Sequence, residues 1–280
     1  MLETRIYQKQ NSKGFFKLLK ESLYDMYASR FLARQLSVRD IKAAYRQSYL
    51  GIIWAFLTPL ATAVVWILLN ASGTIQITDT GIPYPIFALS GTLIWSIMSE
   101  AIKAPLQTTN AAKGIMSKIN FPKEALVISG VYKLLFNSSV KVLILISFVF
   151  ILGVGFHTSL LFFPLVLLGA IFFGTTIGLF ITPIGMLYKD VTKIITLGLQ
   201  FLMYATPVVY SIPKEGIIKE LMELNPITYI ILTARDSIVG NEMNHLDSFF
   251  LVVGLCVPLF LVGIVFYRIS IPIIVERLSA

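Results

Sequence analysis

The sequence predicts an all-α polytopic membrane protein with six transmembrane helices, and three features point there. Only 14% of the 280 residues are charged and 56% are hydrophobic, with a mean hydropathy of +0.79, whereas a soluble domain carries roughly a quarter charged residues. Several stretches reach the roughly 17–25 nearly uncharged apolar residues that cross a bilayer. The basic residues, finally, fall overwhelmingly in alternate loops, as spans in a membrane require.

Taken in order, residues 1–48 are expected to form a cytoplasmic region, and residues 49–280 a transmembrane domain. In the first, Phe15, Leu19, Leu23 and Met26 share one helical face, with Lys13, Lys17, Lys20 and Glu21 on the other. That stripe suits an amphipathic helix in the membrane interface, or one packed on a partner. The six spans are expected at Leu50–Asn70, Pro85–Ile102, Ala125–Gly153, Leu160–Leu187, Ile194–Tyr210 and Phe249–Tyr267. Prolines interrupt several of them, which membrane helices tolerate when neighbours satisfy the freed carbonyls. Between the last two spans, residues 211–247 mix charges with apolar runs such as Ile227–Val239. That run is too short to cross, so an external re-entrant or surface-lying helical pair is expected.

Ten Lys and Arg precede Leu50, six lie from Lys103 to Lys141, and Lys189, Lys193, Arg268 and Arg277 complete twenty on one side. The opposite side holds Lys214, Lys219 and Arg235. The positive-inside rule then puts both termini in the cytoplasm. The apolar stretches begin too late for a cleavable signal peptide, so the amino terminus is expected to be retained.

The formal charge of +8 follows this topology rather than a patch, so no nucleic-acid partner is expected. Cys256 is the only cysteine, which leaves no disulfide framework. His157 and His245 lie near no second candidate ligand, so no metal site is expected. There is no G-x-x-x-x-G-K-[ST] loop and no G-x-S-x-G elbow. The chain is therefore expected to have no catalytic residue, no cofactor of its own and no ATP site of the phosphate-loop type. Glu220 and Glu223 read as an exposed charged face. No internal repeat is evident, which argues against an inverted-repeat carrier.

Polar groups inside the spans are the candidate site residues. At 100° per residue, Tyr45, Tyr49, Ile52, Phe56, Pro59, Ala63 and Asn70 fall in one arc, with Trp54 opposite. Lys193, Thr196, Gln200, Tyr204, Pro207 and Ser211 share a face of the fifth span. Polar side chains are costly in hydrocarbon, so such stripes mark either a wet path or interhelical hydrogen bonds. Aromatic rings on a path would suit sugars, by stacking on their apolar faces. Trp66, Trp95 and Tyr84 suit an interfacial belt, and Gly174 with Gly178 suits close helix contact. Lys141, within the third span, faces either a bundle interior or snorkels to the interface. Arg39, Lys42 and Arg46 form one basic face before the first span, fit to hold phosphate or to anchor against anionic lipid.

The stretch from Arg39 to Ala55, RDIKAAYRQSYLGIIWA, resembles the segment that opens the first span of ABC exporter permeases for polysaccharides. This type-2 class moves O-antigen, teichoic acid and capsule chains. Asn120-Phe121-Pro122-Lys123-Glu124, Tyr188-Lys189-Asp190-Val191, Thr206-Pro207-Val208-Val209-Tyr210 and Leu224-Asn225-Pro226-Ile227-Thr228 with Arg235 resemble further family segments in the same order. Departures occur at Ala43 and Ala44, at Thr58 and at Lys189, and they leave the substrate subclass open.

The resemblance implies a homodimer in the bacterial cytoplasmic membrane, working with two separate ATP-binding cassette subunits that hold ATP and magnesium. It implies a polysaccharide linked to a polyprenyl pyrophosphate as cargo; an exporter of drugs or simple lipids is the alternative. On this basis Tyr45, Tyr49, Phe56, Asn70, Gln200 and Tyr204 are expected along the sugar path, and Arg39, Lys42 and Arg46 at the pyrophosphate. Asn110, Lys113, Lys118, Phe121, Pro122, Lys189 and Asp190 are expected to receive the stroke of the ATPase.

Overall fold

A computed structural model describes residues 14–46, 49, 53–73 and 82–279, and among them the chain is all-helical. Eleven α-helices follow one another: α1 (Phe15–Ala28), α2 (Arg30–Arg46), α3 (Trp54–Ala71), α4 (Tyr84–Ala111), α5 (Lys113–Met116), α6 (Glu124–Ile151), α7 (Phe163–Leu187), α8 (Lys189–Tyr204), α9 (Ile217–Leu224), α10 (Pro226–Val239) and α11 (Leu246–Ser279).

Helices α4, α6, α7 and α11 are each long and apolar enough to cross a membrane. With 28 residues, α4 is about 42 Å long, more than the roughly 30 Å hydrocarbon core. It therefore runs on past the expected end of its span at Ile102. The other two expected spans are shorter in the structure: α3 has an apolar part at Leu57–Ala71, and α8 has 16 residues.

The bundle is built around α4, which packs against α3, α6, α7 and α10. Its sequence explains this place. Small and hydroxyl-bearing residues recur along it, and their hydroxyls bond back to the helix itself: Thr92 Oγ1 to Ala88 O at 2.8 Å, Thr108 Oγ1 to Ala104 O at 2.7 Å, Thr109 Oγ1 to Pro105 O at 2.6 Å. Each polar group is thereby satisfied without occupying a neighbour's space. From the other side Gly174 and Gly178 of α7 lie against Met98, Ala101, Ile102 and Pro105 of α4, so closely that an added Cβ would overlap them. The glycine pair makes the close contact its spacing suggests.

Other expectations need correction. The helical pair α9–α10 exists, but α10 does not lie on a surface. Ile227, Ile230, Ile231, Ala234 and Ile238 are buried among α4, α7 and α11, because this run is apolar on most sides. The described N-terminal region is two helices meeting at Ser29, and residues 1–13, Lys13 of the expected polar face among them, lie outside the described residues. On α1 the packed side is Leu19, Ser22, Asp25 and Met26, while Phe15 and Leu23 are exposed. Asp25, on this packed side, pairs with Arg268 of α11. Trp95 is buried in the core rather than facing an interface, and Tyr84 is anchored inward by a 2.9 Å bond from its hydroxyl to Val209 O.

Candidate functional site

At the start of the bundle, α2 holds Lys42 and Arg46 exposed. Arg39 is bound by its neighbour Asp40, with Nε and Nη2 at 2.9 and 2.7 Å from Oδ1. Tyr45 turns away from this basic face. Its hydroxyl donates to Asn137 Oδ1 on α6 at 2.7 Å, and its ring lies 6.5 Å from that of Phe136.

The arc expected from Tyr45 to Asn70 is accordingly not one helical face. α2 ends at Arg46 and α3 begins at Trp54, and a 100° step does not carry across that break. Tyr49 stands in the bend, fully exposed. Pro59 and Ala63 are buried in the chain's own bundle, Trp54 is exposed, and Asn70 is half-buried. Ile52 and the Phe56 side chain lie outside the described residues.

The stripe on α8 is present along the helix. Lys193, Thr196, Gln200 and Tyr204 are all exposed, and Leu199 is the one buried residue of α8. The helix stops at Tyr204, so Pro207 and Ser211 leave the stripe. Pro207 is buried instead under Arg235, whose guanidinium donates to Pro207 O at 3.0 Å and Val208 O at 2.6 Å and lies 3.6 Å over the Phe87 ring. Asn225 caps α10 through Ile227 N at 3.0 Å, and its amide donates to Thr206 Oγ1 at 2.9 Å. Arg235 and Asn225 together fix the segment that follows α8.

Within the bundle Lys141 is completely buried, and it does not snorkel. Its ammonium donates to Glu100 at 2.5 Å and Ser96 at 2.8 Å on α4. Glu100 in turn reaches two cavities of about 310 Å³ each. One, between α3 and α4, is lined by Trp54, Thr58, Thr62, Trp95 and Ser99. The other lies between α2, α4 and α6, with Asp40, Lys103, Gln107, Lys133 and Asn137 on its walls. Lys103 borders both.

Beyond α4, the residues expected to meet an ATPase form one continuous stretch. Asn110 and Lys113 are half-buried, Lys118 is exposed, and Phe121 and Pro122 are half-buried. The Lys123 ammonium lies 4.5 Å over the Phe121 ring, and burial lowers its pKa while the neighbouring Glu124 carboxylate opposes that shift. A cavity of about 370 Å³ separates Phe121 and Lys123 from α11. Beside it Arg268 gathers Glu21 at 3.5 Å, Asp25 at 2.8 Å and Glu124, tying α1, α6 and α11 together. Lys189 and Asp190 stand exposed at the start of α8.

Sequence reasoning missed three of these features. The Glu100–Lys141 pair joins residues far apart in the chain, although a carboxylate at the edge of an apolar span was a usable signal. Arg235 was counted with external loop charges, yet it interrupts the apolar run of α10. Arg268 read as a topology anchor, and its three carboxylates come from two other helices.

Residues 32–239 match the family model described as ABC-2 type transporter. Among curated proteins, the O-antigen export system permease protein RfbA of Klebsiella pneumoniae is 23% identical over 212 residues, covering 74% of this chain and 80% of that protein. Its counterpart of the same name in Myxococcus xanthus is 26% identical over 210 residues, with the same coverage. The polysialic acid transport protein KpsM of Escherichia coli is 25% identical over 246 residues, covering 83% of this chain and 91% of that one.

Proposed function

The chain belongs to the ABC-2 type transporter family, and from that premise we propose that it is the membrane-spanning permease subunit of a polysaccharide exporter. Its cargo is a glycan carried on a polyprenyl diphosphate. It works in the bacterial cytoplasmic membrane as a homodimer with both termini inside, using α3 and α8 as the first and fifth of six spans. Two ATP-binding cassette subunits hold ATP and magnesium, and this chain is not itself an enzyme.

One observation carries the reading. In this reading α8 is the fifth span, with Thr196, Gln200 and Tyr204 in line on its surface; the Thr196 hydroxyl bonds back to Thr192 O at 2.9 Å, whereas Gln200 and Tyr204 are left uncovered by the chain's own bundle. Bare polar groups in hydrocarbon are costly, so they call for cover from a second copy or from a wet conduit between two copies. A glycan supplies hydroxyls to bond and sugar faces to stack, so Gln200 and Tyr204 suit it, with Phe56 and Asn70 on α3 and Tyr49 in the bend before it. Tyr45 contributes at the entrance, where it is held against α6. The chain's similarity to O-antigen export permeases and a polysialic acid transport protein supports the cargo class.

In this mechanism Arg39, Lys42 and Arg46 draw the anionic head group to the cytoplasmic leaflet. The ATPase subunits press on Asn110, Lys113, Lys118, Phe121 and Pro122, and on Lys189 and Asp190 at the foot of α8. Two nucleotide states must favour two permease conformations for that pressure to move anything. The Arg268 cluster couples the first of these contact regions to α1 and α11.

The test is surface glycan in a host lacking this gene and complemented with Gln200→Leu and Tyr204→Ala, at equal membrane protein levels. Export should fall in both. Unchanged export in the double variant rejects the path, and a host whose surface glycan does not depend on the gene rejects the function.

A further inference from the structure

The cavity between α2, α4 and α6 has a charge balance that points to a ligand. Four charged residues line it: Asp40, Glu100, Lys103 and Lys133. Both carboxylates are already neutralised by cations that do not line it, Asp40 by Arg39 at 2.7 Å and Glu100 by the buried Lys141 at 2.5 Å. Lys103 and Lys133 are in no ion pair among the described residues. The wall thus presents two uncompensated ammonium groups, with the amides of Gln107 and Asn137 beside them.

We propose that this cavity is the seat of a diphosphate-type anion, held between Lys103 and Lys133. Its identification as the head of the lipid carrier rests on the export reading above. The volume of about 310 Å³ falls at the lower end of the roughly 300–1,000 Å³ typical of small-molecule sites, ample for a diphosphate. Ammonium donors to phosphate oxygens form charge-assisted hydrogen bonds, stronger than neutral ones. Lys141 has a definite part in this: without it, the Glu100 carboxylate would face the anion as a bare like charge. The tyrosine clasp from Tyr45 to Asn137 holds α2 against α6 and so closes one wall.

The seat is distinct from the exposed face of Arg39, Lys42 and Arg46. Exposed charges govern the approach of a ligand and its salt dependence, whereas buried contacts govern how long it stays. Capture belongs to the face and retention to the cavity.

The experiment uses the full chain in phosphatidylcholine nanodiscs, titrated with geranylgeranyl diphosphate. Lys103→Gln and Lys133→Gln should each weaken binding about tenfold, the loss of one charge-assisted bond, chiefly through faster release. The Lys103→Arg, Lys133→Arg double variant should bind within a few-fold of the parent, with unchanged thermal unfolding in all variants as the control for folding. Lys42→Gln with Arg46→Gln, which leaves the Arg39–Asp40 pair intact, should slow association and leave release unchanged. Parental affinity in both lysine-to-glutamine variants overturns the site. Inorganic pyrophosphate binding as tightly as the lipid, or phosphatidylglycerol displacing it at equal mole fraction, overturns the carrier as ligand. A lysine-dependent diphosphate affinity in a protein whose deletion leaves surface glycan intact upholds the site and removes only the export reading.

Discussion

The seam between α4 and α7 and the surface of α8 are packed in opposite ways. In the seam, Gly174 and Gly178 admit the backbone of α4 so closely that no side chain could be added, and most of α4 is buried. On α8 a single residue, Leu199, is buried, and Gly198 has nothing within 4 Å of where a Cβ would stand. Where a chain satisfies its own helices, small residues and back-bonded hydroxyls fill the contact. Where it leaves a helix bare with polar groups in line, the contact partner is elsewhere. That difference separates the packed scaffold from a surface that this chain leaves open.

The comparison can be broken most severely at the Glu100–Lys141 pair, which stands on the scaffold side. Glu100→Ala leaves a buried ammonium without its counter-charge, bonded to Ser96 alone, at a cost of about 3–5 kcal/mol, and should abolish stable expression. Lys141→Ala should cost less, because Glu100 still opens onto a cavity, and the double variant Glu100→Gln, Lys141→Met should recover most of the loss. Thermal unfolding of the purified variants reads all three. Equal penalties for the two single variants would mean that Glu100 is as enclosed as Lys141.

Next in size is the seam itself. Gly178→Leu places a branched side chain against the carbonyl of Ile102 and the ring of Pro105 and should cost about 3 kcal/mol, read as a lower unfolding temperature. On the other side of the comparison, Gly198→Ala meets nothing and should leave stability within about 1 kcal/mol of the parent. A comparable loss at both glycines would show that α8 is packed by its own chain after all.

A smaller effect sharpens the cytoplasmic end. Arg268→Met removes the charge that holds Glu21, Asp25 and Glu124 together, so α1 should loosen from α11. Limited trypsin digestion at Lys17, Lys20 and Arg30 should then speed up in intact membranes, while unfolding of the bundle changes little. Digestion at the parental rate would mean that apolar contacts of Leu19 and Met26 hold α1 unaided.

Much of this was legible in the residues. The spans of α4, α6, α7 and α11, the glycine contact and the polar stripe of α8 follow from local composition and spacing. What could not be read is which face finds cover, since that depends on helices distant in sequence. Pro59 and Ala63 share an arc with Tyr45 only if a 100° step carries through the bend at Tyr49, and both are buried in the bundle instead. Trp95 was assigned to an interface by its residue type and is buried, because α4 is the centre of the bundle. Asp25 and Arg235 show the same effect for charge: each takes its orientation from partners supplied by other segments, Arg268 and the carbonyls of Pro207 and Val208.

The central claim, that the bare face of α8 meets a second copy of the chain, has a direct measurement. With Cys256 replaced by serine, a cysteine at Thr196 or Gln200 is treated in native membranes with a short bis-maleimide and the products are separated by size. The account predicts a covalent species of about twice the 31.2 kDa chain mass from these positions and none from a cysteine at Leu165, on the outer side of α7. Only monomer from the α8 positions, with both cysteines reactive towards single maleimides, would contradict it.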